Sequence, residues 1–193
     1  MEDGLGNWQW LVQVPNAGDA MVLTATQDSP DWVIAGGFAR VSRRNIDDAW
    51  STAGAGAFDC VAVPDADVLF APGGSAESRL AEVRRLLRPD GCYIGIEAIH
   101  PSEASRSLRA VLRARRRSQA PRLRRLGFRD VHSYFVVQSP AAPRHIVPST
   151  PAALVAWDAA MSPGDERSWQ RRLLYRLGLA ALVLRNRLVI ARR

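Results

Sequence analysis

Two spacings in this chain carry chemical potential. Glu97 and His100 lie three residues apart, where the apolar run Cys92-Tyr-Ile-Gly-Ile96 gives way to His100-Pro101-Ser102. A carboxylate and an imidazole at the end of a strand can share acid–base work if the loop brings them together, and the spacing alone does not guarantee that. Asp65 and Asp67 follow a second apolar run, Phe58-Asp-Cys-Val-Ala-Val63. There they can serve as a general base or simply start a helix. Arg144-His145, after a proline-rich loop, suits an anionic substrate. His132 alternates with Val131 and Ser133 along a strand-like run and reads as structural.

Positioning these groups requires strands that end near them. Phe58–Val63 reads as a strand, Glu77–Leu87 as a helix with apolar positions at helical spacing, and Cys92–Glu97 as a second strand. Pro89-Asp90-Gly91 breaks the helix before that strand. Strand, helix and strand with short breaks form a parallel βαβ unit.

The flanking segments extend the pattern. Ala20–Ala25 is an earlier buried strand, followed by Asp28 or Ser29 capping a helix with Pro30 in its first turn. Phe38–Ser42 reads as a strand and Asn45–Trp50 as a single helical turn. Downstream come helices at 105–117 and 122–126, the latter stopped by Gly127, and a strand at Phe128–Val137. Helices follow over 151–161 and from Asp165 or Ser168, then a closing strand at Leu188–Ala191. Two tryptophans, Trp8 and Trp10, anchor a lead-in segment or offer an aromatic shelf.

Composition narrows the classes. The chain has 193 residues, 47% hydrophobic and 23% charged, which suits a single globular domain. No apolar run reaches the roughly 18 residues that span a bilayer. Met1-Glu-Asp-Gly4 lacks signal-peptide character, so a cytoplasmic location is expected. Cys60 and Cys92 fall inside buried runs as small core residues, without the companions a metal site needs.

Every one of the 26 basic residues is arginine. Residues 1–103 hold 7 Arg and 15 acids; residues 104–193 hold 19 Arg and 4 acids. The two halves can therefore attract each other within the fold, or the basic half can steer an anionic partner. The densest basic run, Arg113 to Arg125, can contact phosphates. It lacks interleaved aromatics or a reading motif, so a solvated helix face is favoured and nucleic acid is not the expected partner.

The wording of the central unit resembles the class I S-adenosylmethionine-dependent methyltransferase family. Phe58-Asp59, the helix end Leu86-Leu87-Arg88-Pro89-Asp90-Gly91 and the strand at Tyr93–Glu97 are similar to that family's fourth strand, helix and fifth strand. Leu126-Gly127-Phe128 resembles its entry into strand six, and Leu188–Arg192 its closing strand seven. The resemblance implies an α/β three-layer sandwich around a mostly parallel, Rossmann-like sheet in a single domain, with residues 138–187 inserted between the last two strands. It implies S-adenosylmethionine as cofactor, with Thr24, Ala25, Thr26, Gln27 and Asp65 at its site and Glu97 and His100 as catalytic candidates. It implies methyl transfer to a small molecule or biosynthetic intermediate. The chain departs from the family pattern after its first strand. Thr24–Asp28 contains no glycine where backbone should approach the cofactor, and the ribose-binding acid has no clear match, with Asp47 or Asp48 as candidates. The interval before Phe58 has room for one strand and one helical turn where the family fits two of each. These departures keep open a degenerate, non-methylating relative acting as partner or scaffold, and a cofactor-free enzyme using the same pocket. A protein partner or homodimer fits either reading. The insertion suits a substrate lid, a partner surface or, with Arg171, Arg172 and Arg176 on an amphipathic helix, contact with a membrane surface.

Overall fold

In the computed structural model the described residues are 18–24, 38–46, 53–70, 74–99, 109, 112, 116–140 and 143–193. Seven strands among them form one sheet in the order β2-β1-β3-β4-β7-β5-β6. They are β1 (Asp19–Thr24), β2 (Arg40–Asn45), β3 (Phe58–Val63), β4 (Leu87–Ala98), β5 (Arg129–Gln138), β6 (Pro143–Pro148) and β7 (Asn186–Arg192). The helices are α1 (Ala76–Leu86), α2 (Gln119–Arg125), α3 (Pro151–Met161) and α4 (Ser168–Arg176), with single 3-10 turns at Ala66–Phe70 and Ala180–Leu182.

The sheet has two halves. β2, β1, β3 and β4 pair in parallel, whereas β7 runs antiparallel to both β4 and β5, and β6 runs antiparallel to β5. Five of the seven strands thus run in one direction, as a mostly parallel sheet requires, and β7 and β6 are reversed. The architecture is α/β and Rossmann-like, as the central βαβ wording implied.

Side-chain alternation divides the core between two faces. Met21, Leu23, Val61, Val63, Tyr93, Val189 and Ala191 point to one side, where Leu80, Val83 and Leu86 of α1 and Ala120 and Leu123 of α2 cover them. Farther along, Phe135 and Val147 pack with Leu154 of α3 and Tyr175 of α4. Ala20, Val22, Cys60, Ala62, Cys92, Ile94, Ile96, Leu188 and Ile190 fill the opposite face, and they are buried too. Strands buried on both faces need no polar alternation, which is why β1, β3 and β4 read as near-continuous apolar runs. Cys60 and Cys92 are free, buried thiols in register on neighbouring strands, and they pack as small core residues.

Local signals set the helix ends. Ser75 caps α1 by accepting the Ser78 N–H at 3.0 Å, and Thr150 caps α3 by accepting from Ala153, with Pro151 in the first turn. Several boundaries differ from those read from sequence, among them α2, which starts at Gln119 rather than Arg122. β2 occupies Arg40–Asn45 rather than Phe38–Ser42. Pro89-Asp90-Gly91 does not stand outside the strand: β4 begins at Leu87 and absorbs the turn as an irregularity, with Asp90 at φ 62°. The segment leading on from Arg144 is a strand, β6, so the 138–187 stretch carries a sheet edge as well as helices. The lead-in at Trp8–Val14, the helix at Pro30 and most of the turn at Asn45–Trp50 and the helix at 105–117 lie outside the described residues.

A charged clamp ties the amino ends of the parallel strands. Arg40 binds the Asp19 carboxylate with two hydrogen bonds of 2.7 and 2.9 Å, and Arg88 reaches both Asp59 at 2.6 Å and Asp19 at 3.2 Å. Asp59 also accepts the Asp19 N–H at 2.8 Å. The hydrogen bond from Arg40, with the charges of Arg40 and Arg88, holds the Asp19 carboxyl below the usual carboxylate range. A depressed folded-state pKa means the unfolded chain binds the proton first, so this contribution is present above about pH 4 and is lost as pH falls through the folded value. Asp19→Asn should lower the urea midpoint at pH 7. The gap from wild type should begin to narrow below about pH 4 and close only below the depressed folded-state value, where Asp19 is protonated in both states. A gap that stays constant with pH would show the clamp acting through shape rather than charge.

Candidate active site

The strand order grows in two directions from β1: β2 lies on one side and β3 on the other. In open α/β sheets that reversal leaves a crevice beyond the carboxyl ends of the two central strands. Thr24 is the last residue of β1 and is buried. Asp65 follows β3 by two residues and is exposed. The two therefore stand at and just past the carboxyl ends of the two strands that flank the reversal. Glu97, one strand farther on, is the penultimate residue of β4. Ala25, Thr26, Gln27, His100, Asp47 and Asp48 lie outside the described residues.

Arginines hold the loop after β3. Asp65 Oδ1 accepts the Asp67 N–H at 2.9 Å and starts the 3-10 turn. Buried Arg79 of α1 donates to the Val68 and Leu69 carbonyls at 3.0 and 3.3 Å. Arg117 pairs with Asp67 at 3.2 Å, and the Arg117 and Arg122 guanidiniums sit over the Phe70 ring, 5.8 and 5.4 Å from its centroid. Asp65 is thus presented on a loop fixed from below. Its Oδ1 is used locally, within a helix-start arrangement.

Glu97 is bound into the core. Its Oε1 accepts the Gln119 N–H at 2.6 Å, and its Oε2 accepts from Arg187 of β7. The residue opposite Glu97 in the sheet register is Arg187. Tyr93, two positions before Gly95 on the same face, donates its hydroxyl to Gln119 Oε1. Burial pushes the Glu97 carboxyl above its usual range, against the lowering pull of Arg187 and of the Gln119 N–H. Burial also raises the Tyr93 phenol, with the charge of Glu97 adding to it. Both Glu97 oxygens are engaged, so in this geometry the side chain ties α2 and β7 to the end of β4.

The remaining candidates separate. His132 packs beside Tyr134 with ring centroids 6.5 Å apart, and His145 meets the edge of Trp157 at 6.0 Å. Arg144 is exposed on edge strand β6. Described arginines of the basic run are engaged within the molecule: Arg125 and Arg122 pair with Glu77 at 2.9 and 3.6 Å, and Arg124 donates to the Val131 carbonyl at 3.0 Å. Asp90–Arg129 at 2.7 Å completes a set in which front-half acids meet back-half arginines. Arg171 and Arg172 turn inward onto buried Asp158 at 2.6 and 3.2 Å, so they do not form a free basic face on α4. Among the described residues no cluster of His, Cys, Asp and Glu could hold a metal, and no helix is long and apolar enough to cross a membrane.

Sequence reasoning missed Arg79, Gln119 and Arg187. Each is one arginine or glutamine among many, and its partner lies on another element. Only the opposition of β4 and β7 singles out Arg187.

Comparison with solved structures gives the class of this fold. A S-adenosylmethionine-dependent methyltransferase from Archaeoglobus fulgidus superposes with a TM-score of 0.52 at 10% identity, over 96% of this chain and 90% of that one. Phosphoethanolamine N-methyltransferase 2 from Haemonchus contortus, solved with phosphomonomethylethanolamine and S-adenosylhomocysteine, gives 0.49 at 10% identity over 97% of this chain. The chain spans 52% of the length of that enzyme. A possible histamine N-methyltransferase from Thermotoga maritima gives 0.49 at 11% identity, over 98% and 87% of the two chains. No family model and no curated protein matches the sequence. The fold is that of the class I S-adenosylmethionine-dependent methyltransferases.

Proposed function

We propose that this protein binds S-adenosylmethionine at the crevice between β1 and β3 and transfers its methyl group to a small molecule. The observation that carries the reading is the pair Thr24 and Asp65 at and just past the ends of the two strands that flank the topological switch point, on a fold shared with a methyltransferase. Asp65 would offer an adenosyl group one exposed acceptor, since its second oxygen suits a hydroxyl or an amino group. When bound, the cofactor supplies an electrophilic methyl group on a sulfonium centre. The chain's own task is then to hold the acceptor and take its proton. With both Glu97 oxygens engaged, proton removal falls to His100, and Glu97 acts as a positioning group that secures the end of β4. The domain reading goes with this: one catalytic domain, with residues 138–187 elaborating its far edge.

Calorimetry with S-adenosylmethionine and S-adenosylhomocysteine tests the reading. Both should bind, and Asp65→Ala should weaken binding by about tenfold while leaving the unfolding midpoint little changed. Absence of heat for both ligands at millimolar concentration would remove the proposal. It would leave the fold in use as a scaffold or for cofactor-free chemistry.

A further inference from the structure

The stretch between β5 and β7 builds a small core of its own, and that core reaches back to the end of β4. Leu154 of α3 and Tyr175 of α4 gather with Ala180, Leu184, Phe135 of β5 and Val147 of β6. The remaining buried member of the cluster is Ile99, the first residue past β4. The cluster is separate from the two that cover the faces of the central strands. A residue one step beyond a strand end ordinarily enters a solvated loop. Ile99 instead is 7% exposed. Its N–H donates to the Arg185 carbonyl at 2.7 Å, one step beyond the Ala98–Asn186 pair, so the β4–β7 ladder continues past the ends of both strands.

The stretch is braced internally. Asp158 of α3 is buried and takes Arg171 and Arg172 of α4 at 2.6 and 3.2 Å, and Arg172 also donates to the Ser168 hydroxyl at 3.0 Å. These pairs tie the two helices together. The Ser149 N–H donates to the Ser133 carbonyl at 2.9 Å, which joins the start of α3 to β5. Gly178 and Leu179 close α4 by donating to the carbonyls of Tyr175 and Leu174, and the chain then turns into Ala180–Leu182. Ile99 is thus held twice. The bond to Arg185 fixes where its backbone sits, and the enclosed side chain fixes how that backbone is turned. Residue 100 follows through a peptide unit that spans only about 3.8 Å between Cα atoms.

We propose that the stretch 138–187 is the positioning device of the active site, with Ile99 as its positioning residue: by enclosing Ile99 it sets the point from which His100 starts. The inference rests on the reading of His100 as the group that takes the acceptor's proton. Such a base must come within about 2.6–3.2 Å of the atom it deprotonates, and a misplacement of about 1 Å costs on the order of 100-fold in rate. The sheet does not supply that control by itself, because β4 ends at Ala98 and Glu97 spends both oxygens on Gln119 and Arg187.

Proton NMR of the imidazole signals in the full chain tests this, because the histidines are only three, His100, His132 and His145. His100→Gln assigns the His100 signal, and a spectrum in urea gives its unfolded position. In wild type the signal should stand away from that position. Ile99→Ala should move it toward the urea position, while His132 beside Tyr134 and His145 beside Trp157 keep theirs. Leu154→Ala is remote from His100 in sequence and should move the same signal through the shared core, with His132 unmoved. Ile99→Val keeps a branched side chain and should restore most of the wild-type position. Where either alanine variant does not fold, Leu154→Val takes its place, with a smaller shift in the same direction. A wild-type His100 already at its urea position overturns the proposal. So does a His100 signal unmoved in the folded variants, and so does a joint shift of all three signals, which marks a general loss of structure. Cofactor binding does not enter these spectra, so an absence of calorimetric heat would end the methyl-transfer reading without altering what they report.

Discussion

Arg187→Met is expected to destabilise the fold by about 3–5 kcal/mol, the range found when one partner of a buried ion pair is removed. Glu97 would remain in the core with no counter-charge. Burial already pushes its carboxyl upward while Arg187 is present, so without Arg187 the upward shift grows. A raised folded-state pKa carries a definite sign: the penalty is smallest at low pH, where Glu97 is protonated in both states, and it grows as pH rises through the folded value. The urea midpoint of Arg187→Met should therefore approach that of wild type near pH 4 and fall away from it at pH 7. Glu97→Gln combined with Arg187→Met should recover much of the loss. Glutamine keeps an acceptor for the Gln119 N–H and buries no charge. The double-mutant cycle then isolates the coupling of the pair. A single Arg187→Met change within about 1 kcal/mol of wild type at pH 7 would show that the pair is solvated and contributes as a surface pair does.

Gly95→Ala is expected to destabilise by about 1–3 kcal/mol, as overpacking of a filled core does. Gly95 sits in the middle of β4, facing the side where Tyr93 and Gln119 meet. A Cβ there would fall inside van der Waals contact of Gln119 Oε1 and the Tyr93 hydroxyl, and 2.9 Å from Tyr93 Cζ. The backbone cannot yield, because β4 is paired on both sides, with Val63 and with Val189 opposite Gly95. The Gln119 side chain must leave, taking with it the acceptor for the buried Tyr93 hydroxyl. Gly95→Ala with Gln119→Ala removes the steric conflict, so the pair should be less destabilised than the sum of the singles. Additive losses in guanidinium unfolding would mean that the strand rather than the glutamine absorbs the new methyl group.

Both effects lie in a part of the molecule whose outline, but not its wiring, could be read from residues. The apolar runs read at Ala20–Ala25, Phe58–Val63 and Leu188–Ala191 correspond to β1, β3 and β7, because a strand covered on both faces needs little besides apolar residues. Pro151 to Met161 became α3 with the bounds read for it ahead of Pro163-Gly164. β6 escaped notice. It is six residues bounded by prolines, with Arg144 and His145 inside, and an edge strand of that composition carries no alternation to recognise. The irregular start of β4 escaped for a related reason: Pro-Asp-Gly signals a turn, and only pairing with β3 decides that the turn joins the strand.

The candidate site divides along the same line. Asp65 and Glu97 were visible because each follows an apolar run, and strand ends are where open sheets place their ligands. Their present partners were not visible. Asp65 lies near Asp67 in sequence, but Glu97 depends on Arg187, ninety residues away, and on the backbone of Gln119. The contrast between an acidic front half and a basic back half left internal pairing and steering of an anionic partner both open, and pairs of the first kind are present, as Glu77 with Arg125, Asp90 with Arg129 and Glu97 with Arg187. It could not say which acid would be buried.

The sequence by itself determined the βαβ unit, the stop of α2 at Gly127 and the class of sheet, because these follow from local periodicity and backbone preference. Tertiary structure alone decided that β7 enters antiparallel between β4 and β5, that Glu97 is held by Arg187 in the core, and that Asp158 turns α4 so that Trp169, Leu173 and Leu177 face solvent. The physical reason is that hydrophobic patterning states how much surface an element must bury and not against what. Charge pairing acts only between groups that the packing has already brought within a few ångströms.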